Sequence, residues 1–356
     1  VAKRLQKPLP GLTVVRNARV FDSANATVGA PSDVYVYRGK VTQVLPAGSP
    51  ARGVDRTIDA AGRIMLPGLF DLHAHMDRWS GALDIGAGVT SVRDMGNDKE
   101  QMALMIGDTA DGTLLGPQIT PAGFIEGESK FAARSDFVVS TLDQAKEAVD
   151  WYAEHGYPQL KIYNSFHKDI LKDTIAYAHS RGMRVSGHVP AFLRAQDVVD
   201  MGYDEIQHIN QVLLNFLVTP ETDTRDLSRF ILPAEKVAGL DFDSKEVQDF
   251  IAMLAKKQVS IDPTLSAFDF IRHRDGTMSQ LYGGVADHFP PDRRRGLYAA
   301  EMKVPDDKAA TYEKSFLKMV EFVGRLYRAG VPIVAGTDEL PGFTLQRELE
   351  FYVQAG

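Results

Sequence analysis

Residues 64–75, Ile64-Met65-Leu66-Pro67-Gly68-Leu69-Phe70-Asp71-Leu72-His73-Ala74-His75, decide how the rest of the chain is read. The run is mainly apolar up to Leu72 and then closes on two histidines at i and i+2. Side chains at that spacing leave a strand on the same side, so both imidazoles can face one point. A lone pair of this kind also occurs on protein surfaces. Weight comes from repetition: further short apolar runs close on Lys161, His188, His208 and Asp338. Each run reads as a buried strand with a polar residue at its carboxyl end. Polar residues from several such strands converge only in a closed parallel barrel or at the carboxyl edge of an open sheet.

Downstream of this stretch the sequence alternates. Ala145, Ala148, Val149 and Tyr152 form a helical stripe after a capping Thr141, Gly156 stops it, and Gln159–Tyr163 follows as a strand. Leu171, Thr174, Ile175 and Ala178 repeat the stripe, with Gly182 as the stop before Arg184–Gly187. Eight strands are expected: Met65–Leu72, Gly88–Arg93, Gln118–Ala122, Gln159–Tyr163, Arg184–Gly187, Asp204–Gln207, Val259–Thr264 and Val331–Gly336. An open doubly wound sheet gathers ligands only near a switch point. Polar residues closing strands one, four, five, six and eight fit a (β/α)8 TIM barrel better. Residues 210–258 and 265–312 are too long for plain βα loops. They are expected to cap the carboxyl face, with peripheral decoration as the alternative.

Upstream, Leu12–Val15, Ala18–Phe21, Val34–Tyr37 and Val41–Val44 are short β-type runs, and Arg38-Gly39-Lys40 marks a hairpin. The α/β chain therefore divides into a small β-sandwich-like domain at 1–64 and the barrel at 65–356. The start at Val1 leaves room for a removed leading segment, although no signal peptide is present. A helix from near Leu345 has barely three turns before Gly356.

At 356 residues, 44% hydrophobic and 24% charged, the chain can bury a large core. Its net charge of −7 argues against nucleic acid and anionic membranes as partners. No apolar run reaches the length of a membrane span. The absence of cysteine removes disulfides and thiolate ligands, so any metal must use N and O donors. It does not choose between cytoplasm and periplasm.

Four imidazoles, one carboxylate and one lysine are the residue types that a hydrolytic two-metal site needs. His73 and His75 can bind one ion. His188 and His208 can bind a second, or be satisfied structural histidines. A lysine buried among cations loses basicity, and its neutral amine can take up carbon dioxide as a bridging carbamate. Alternatively, Lys161 pairs with a carboxylate. Asp338 can touch the first ion and accept a proton from a bridging hydroxide, then pass it to a leaving nitrogen; otherwise it is a cap. Arg93 and Asp94, closing the second strand, are candidates either to support the ligands from behind or to touch the substrate, and His167, in the loop after the fourth, is a candidate substrate contact.

The segments "IDAAGRIMLPGLFDLHAHM", "GAGVTSVRDMG", "LKIY", "RVSGHVP", "DEIQHIN" and "VPIVAGTDE" resemble the amidohydrolase superfamily, in its imidazolonepropionase-related and prolidase-like branch. The resemblance spans essentially the whole chain. It implies a (β/α)8 barrel with a binuclear, usually zinc, centre. His73, His75 and Asp338 would ligate the buried ion, His188 and His208 the exposed one, and carboxylated Lys161 would bridge them. Tyr163 looks like a tyrosine that contacts the substrate or its oxyanion in relatives, though a core role is also open. In such proteins strands after the barrel complete the small domain, so a missing C-terminal segment or a separate chain is expected here. The implied activity is hydrolysis of an amide or dipeptide-like C–N bond in a small molecule. The rivals are a lactonase or phosphoesterase on the same centre and a non-catalytic scaffold. A homo-oligomer is compatible with the sequence.

Overall fold

The computed structural model describes residues 11–356, which form two compact units. The smaller unit comprises the chain up to Leu69 together with Asp108–Leu115. It contains one five-stranded sheet, β1 (Leu12–Asp22), β2 (Thr27–Tyr37), β3 (Lys40–Pro46), β4 (Val54–Asp59) and β5 (Ile64–Met65), in the order β3-β2-β1-β4, with β5 also on β1. The two runs Leu12–Val15 and Ala18–Phe21 are one strand, kinked by a register shift where Asn17 takes φ 54°. The hairpin turns at Arg38 and Gly39, both at positive φ, as a tight two-residue turn requires. The sequence reading did not foresee β4. Five of its six residues are exposed, so no apolar run marks it.

The larger unit, Phe70–Gly107 with Gly116–Gly356, is the barrel. Its strands are β6 (Leu69–Ala74), β7 (Val89–Asp94), β8 (Gln118–Gly127), β10 (Gln159–Ile162), β11 (Arg184–Gly187), β12 (Glu205–Gln207) and β13 (Ser260–Asp262), adjacent in that order. The pairings from β7 to β13 are parallel. A short β9 (Phe137–Val139) pairs with the extended end of β8.

The expected eighth strand, Val331–Gly336, is not a regular strand. Pro332 lacks an N–H, and the segment keeps only one bridge, Ile261 to Ile333. It nevertheless closes the ring. The N–H of Ile261 donates to Pro332 O at 2.9 Å, and those of Leu72 and Asp338 join Ala335 O and His73 O at 2.8 Å each.

The crossover helices form as the stripes dictate. Leu142–Glu154 starts at a capping box, with Gln144 N donating to Thr141 Oγ1, and buries Ala145, Ala148, Val149 and Tyr152. Lys168–Ser180 buries Leu171, Thr174, Ile175 and Ala178. Gly156, Gly182 and Gly330 follow their helices at φ 77°, 76° and 84°. The helix Lys245–Lys257 packs Val247, Phe250, Ile251 and Leu254 into the same core. It is therefore the ordinary crossover into β13, which narrows the insertion after β12 to the residues before it. After β13, short helical turns and Pro291–Gly296 precede the long helix Ala309–Arg328. Among the described residues, no helix is long and apolar enough to cross a membrane.

Candidate metal centre

The barrel delivers its polar strand ends to one place. His73 lies in β6 and Lys161 in β10, while His188 and His208 follow β11 and β12 directly and Asp338 ends the closing segment. Asp338 Oδ1 lies 3.2 Å from His75 Nε2 and 3.7 Å from His73 Nε2, and its Oδ2 is 3.8 Å from His208 Nε2. Lys161 Nζ is 3.1 Å from His73 Nε2. The rings of His188 and His208 are 4.5 Å apart. One donor atom each from His73, His208 and Asp338 falls within 4.8 Å of the others. That trio crosses the two ligand sets expected from the sequence.

All four imidazoles are held the same way. Nδ1 of His73 bonds Asp262 Oδ2 at 2.8 Å, and that of His75 the carbonyl of Gly96 at 2.8 Å. Nδ1 of His188 bonds Asn164 Oδ1 at 2.9 Å, and that of His208 bonds Thr264 Oγ1 at 2.7 Å. A proton on Nδ1 leaves Nε2 with its lone pair, and outer partners of this kind are how proteins orient imidazole ligands. His188 Nε2 is buried with no hydrogen-bond partner in the protein. A buried imidazole nitrogen left in that state fits a cation. The backbone is strained at the same rim: His208, Thr264 and Asp338 take φ 70°, 45° and 54°.

Electrostatics keep three of the four imidazoles neutral, the form that can ligate a metal. Burial, then Lys161, pushes His73 well below its ordinary range, and burial with His208 does the same to His188. Burial takes His208 down to about 3 against the pull of Asp338. These rings are therefore neutral near pH 7. Burial alone would lower His75 and raise Asp338. The hydrogen bond and charge of Asp338 raise His75, and His73, then His75 and His208, hold Asp338 well below the usual carboxylate range. Burial lowers Lys161 against the nearby carboxylates of Asp338, Asp262 and Asp94. Burial raises Asp262, and the Arg93 guanidinium, 3.5 Å from its Oδ2, opposes that.

Two chambers open on the cluster, sharing Tyr163, His188 and Asp338. One of about 920 Å³ is lined in part by His75, Asn97, Phe124 and Arg134. The other, about 200 Å³, is lined in part by His208, Arg229, Phe230 and Phe268. Of the expected substrate contacts, Tyr163 lies between the chambers, its ring 4.1 Å from that of His188. Arg93 lies deep in the barrel, paired with Glu205 at 2.6 Å and bonded to Leu72 O. Asp94 accepts from Met76 N and Asn97 Nδ2 and braces the loop after β6. His167 turns Nε2 to Glu128 O and precedes the helix Lys168–Ser180.

The sequence reading missed Asp262, Asn164 and Thr264, the partners behind the histidines. Asp262 carried the same signal as the rest, a polar residue closing an apolar strand.

No family model matches the sequence, and no curated protein matches it either. Solved structures do match. A bottromycin amidohydrolase superposes with a TM-score of 0.75 at 21% identity, over 100% of this chain and 76% of that one. The fold is that of the amidohydrolases. A Xaa-Pro dipeptidase with methionine bound in its active site shares the amidohydrolase fold, with a TM-score of 0.65 at 16% identity, over 97% of this chain and 84% of that one. The ochratoxinase of A. niger gives 0.60 at 16% identity, over 98% and 80%.

Proposed function

We propose that this protein is a metal-dependent hydrolase of an amide or dipeptide-like C–N bond in a small molecule. The observation that carries this reading is the set of four imidazoles at the carboxyl end of the barrel, each anchored through Nδ1, with Nε2 of His73, His75 and His208 near Asp338 and that of His188 buried without a partner. The amidohydrolases, the dipeptidase and the ochratoxinase with this fold support it.

His73, His75 and Asp338 would hold one divalent ion, His188 and His208 a second, and a carbamate on Lys161 would join the two. Zinc suits such N and O donors. Bound ions supply Lewis acidity toward a carbonyl and lower the pKa of coordinated water.

The chain's own residues do the rest. Asp338, ionised and flanked by imidazoles, can take a proton on a carboxylate oxygen and return it to the leaving nitrogen. Burial keeps the Tyr163 phenol protonated, so it can donate to a carbonyl oxygen lying between the chambers. Asp262, Asn164, Thr264 and the Gly96 carbonyl fix the imidazole tautomers.

The purified protein should contain stoichiometric divalent metal and cleave simple dipeptides or N-acyl amino acids. Chelation should abolish turnover, and zinc or manganese should restore it. Full turnover by demonstrably metal-free protein would overturn the reading.

A further inference from the structure

The smaller chamber has a chemistry of its own. Arg229 sits near the start of the helix Ser228–Lys236, in the insertion after β12. Its Nη1 donates to the carbonyls of Arg225 at 2.8 Å and Asp226 at 3.3 Å. Those bonds pin the side chain, and Asp226 and Glu126 act on its charge only from beyond ion-pair distance. Among the described residues no carboxylate pairs with it, and its Nε and Nη2 make no hydrogen bond. A half-buried guanidinium that lines a chamber with donors still free suits an anion there. It is close enough to perturb His188, His208 and Tyr163 electrostatically, so it faces the cluster. Phe230, Phe268 and Phe270 line the same chamber. Glu301 and Glu339 also reach it, but neither ranks among the charges acting on Arg229, and Glu339 is engaged by the Tyr282 hydroxyl at 2.6 Å.

About 200 Å³ admits a group of amino-acid size, whereas about 920 Å³ on the other side admits a much larger one. In a C-terminal residue the carboxylate lies one carbon from the amide nitrogen, so a residue leaving as the amine presents both groups within a short span. We infer that Arg229 binds the α-carboxylate of the amine-side residue. The substrate class is then an N-acyl amino acid or short peptide with a free C-terminus and an apolar last side chain among the three phenylalanines. The acyl part occupies the larger chamber. This rests on the hydrolase reading above for the position of the scissile bond, but the carboxylate site can be tested apart from turnover.

The probes are L-phenylalanine and L-phenylalaninamide, titrated calorimetrically into the metal-loaded protein, with glycyl-L-phenylalanine and its C-terminal amide as turnover substrates. Wild type should bind the free acid about 100-fold more tightly than the amide, the worth of a bidentate charge-assisted pair. Arg229→Met should erase that preference and raise KM for glycyl-L-phenylalanine with a smaller effect on kcat, because the contact is made equally in ground and transition states. Arg229→Lys should keep part of the preference, since it retains charge but not the fork. Thermal unfolding of both variants separates loss of the contact from loss of fold. Retained discrimination in a folded Arg229→Met protein overturns the inference, as does wild type that fails to prefer the acid. Wild type that prefers the acid but cleaves neither peptide leaves the Arg229 site standing and removes the hydrolase reading.

Discussion

Gly336 shows how little room the centre leaves. A Cβ there would lie 2.5 Å from Asp262 Oδ1, 2.5 Å from His73 Cβ and 2.8 Å from His73 N. The backbone nitrogen of β6 cannot yield, so Gly336→Ala has to displace His73, Asp262 or the closing segment. The expected cost is about 1–3 kcal/mol of stability, read from thermal or denaturant unfolding. Asp262 acts more specifically, because its Oδ2 is the acceptor that turns His73. Asp262→Ala should leave the barrel folded yet weaken zinc binding by about 10- to 100-fold, the usual effect of removing a partner behind a histidine ligand. Competition with a chromophoric chelator measures this. Unchanged affinity would mean that His73 is oriented by its packing alone.

At the scale of elements, the helix Phe343–Ala355 supports the rim from behind. Its Glu348 is fully buried and accepts from Leu265 N at 2.9 Å, Ser266 N at 2.7 Å and Ser266 Oγ at 2.8 Å. These residues directly follow Thr264, the partner of His208. Burial outweighs the three donors and raises Glu348 from 4.5 to about 7. The folded state therefore holds a proton that the unfolded chain releases between those values. Stability linked to this group is fully present below about pH 4.5 and is lost as pH rises through 7. Relative to Glu348→Gln, wild type should lose up to about 3 kcal/mol between pH 5 and pH 8, from denaturant titrations at each pH. A pH-independent difference would place the carboxylate in the ionised form throughout.

The same element shows what the sequence made legible. A helix after Asp338 could be read from its pattern, but not its carboxylate's reach back to residues 265 and 266. His73, His75, Lys161, His188, His208 and Asp338 stood out because a polar residue closing an apolar run is a local signal. Asn164 and Thr264 serve His188 and His208, far along the chain, and no local pattern encodes that. The irregular closing segment was hidden for a different reason: Val331–Gly336 has strand-like composition, while Pro332 and the crowding at Gly336 limit its pairing.

For the barrel as a whole, the candidate centre joins chain segments that meet only through tertiary structure. Its donors stand in or just after β6, β10, β11 and β12 and on the segment that closes the ring through single hydrogen bonds. An ion that binds the folded state alone stabilises it by mass action, by about 4 kcal/mol at a free concentration 1,000-fold above Kd. It would act where the sheet is weakest, because Asp338 is tied to β6 by its N–H on His73 O and offers its carboxylate to the imidazoles that follow β6 and β12. Chelation should therefore lower Tm by several degrees, and added zinc should restore it in a concentration-dependent way. His188→Ala keeps the His73, His75 and Asp338 set, so it should retain part of that rise; Asp338→Asn should lose most of it. Scanning calorimetry of the three proteins with and without zinc is the measurement. Equal Tm values with and without metal in wild type would show that the six residues do not hold an ion.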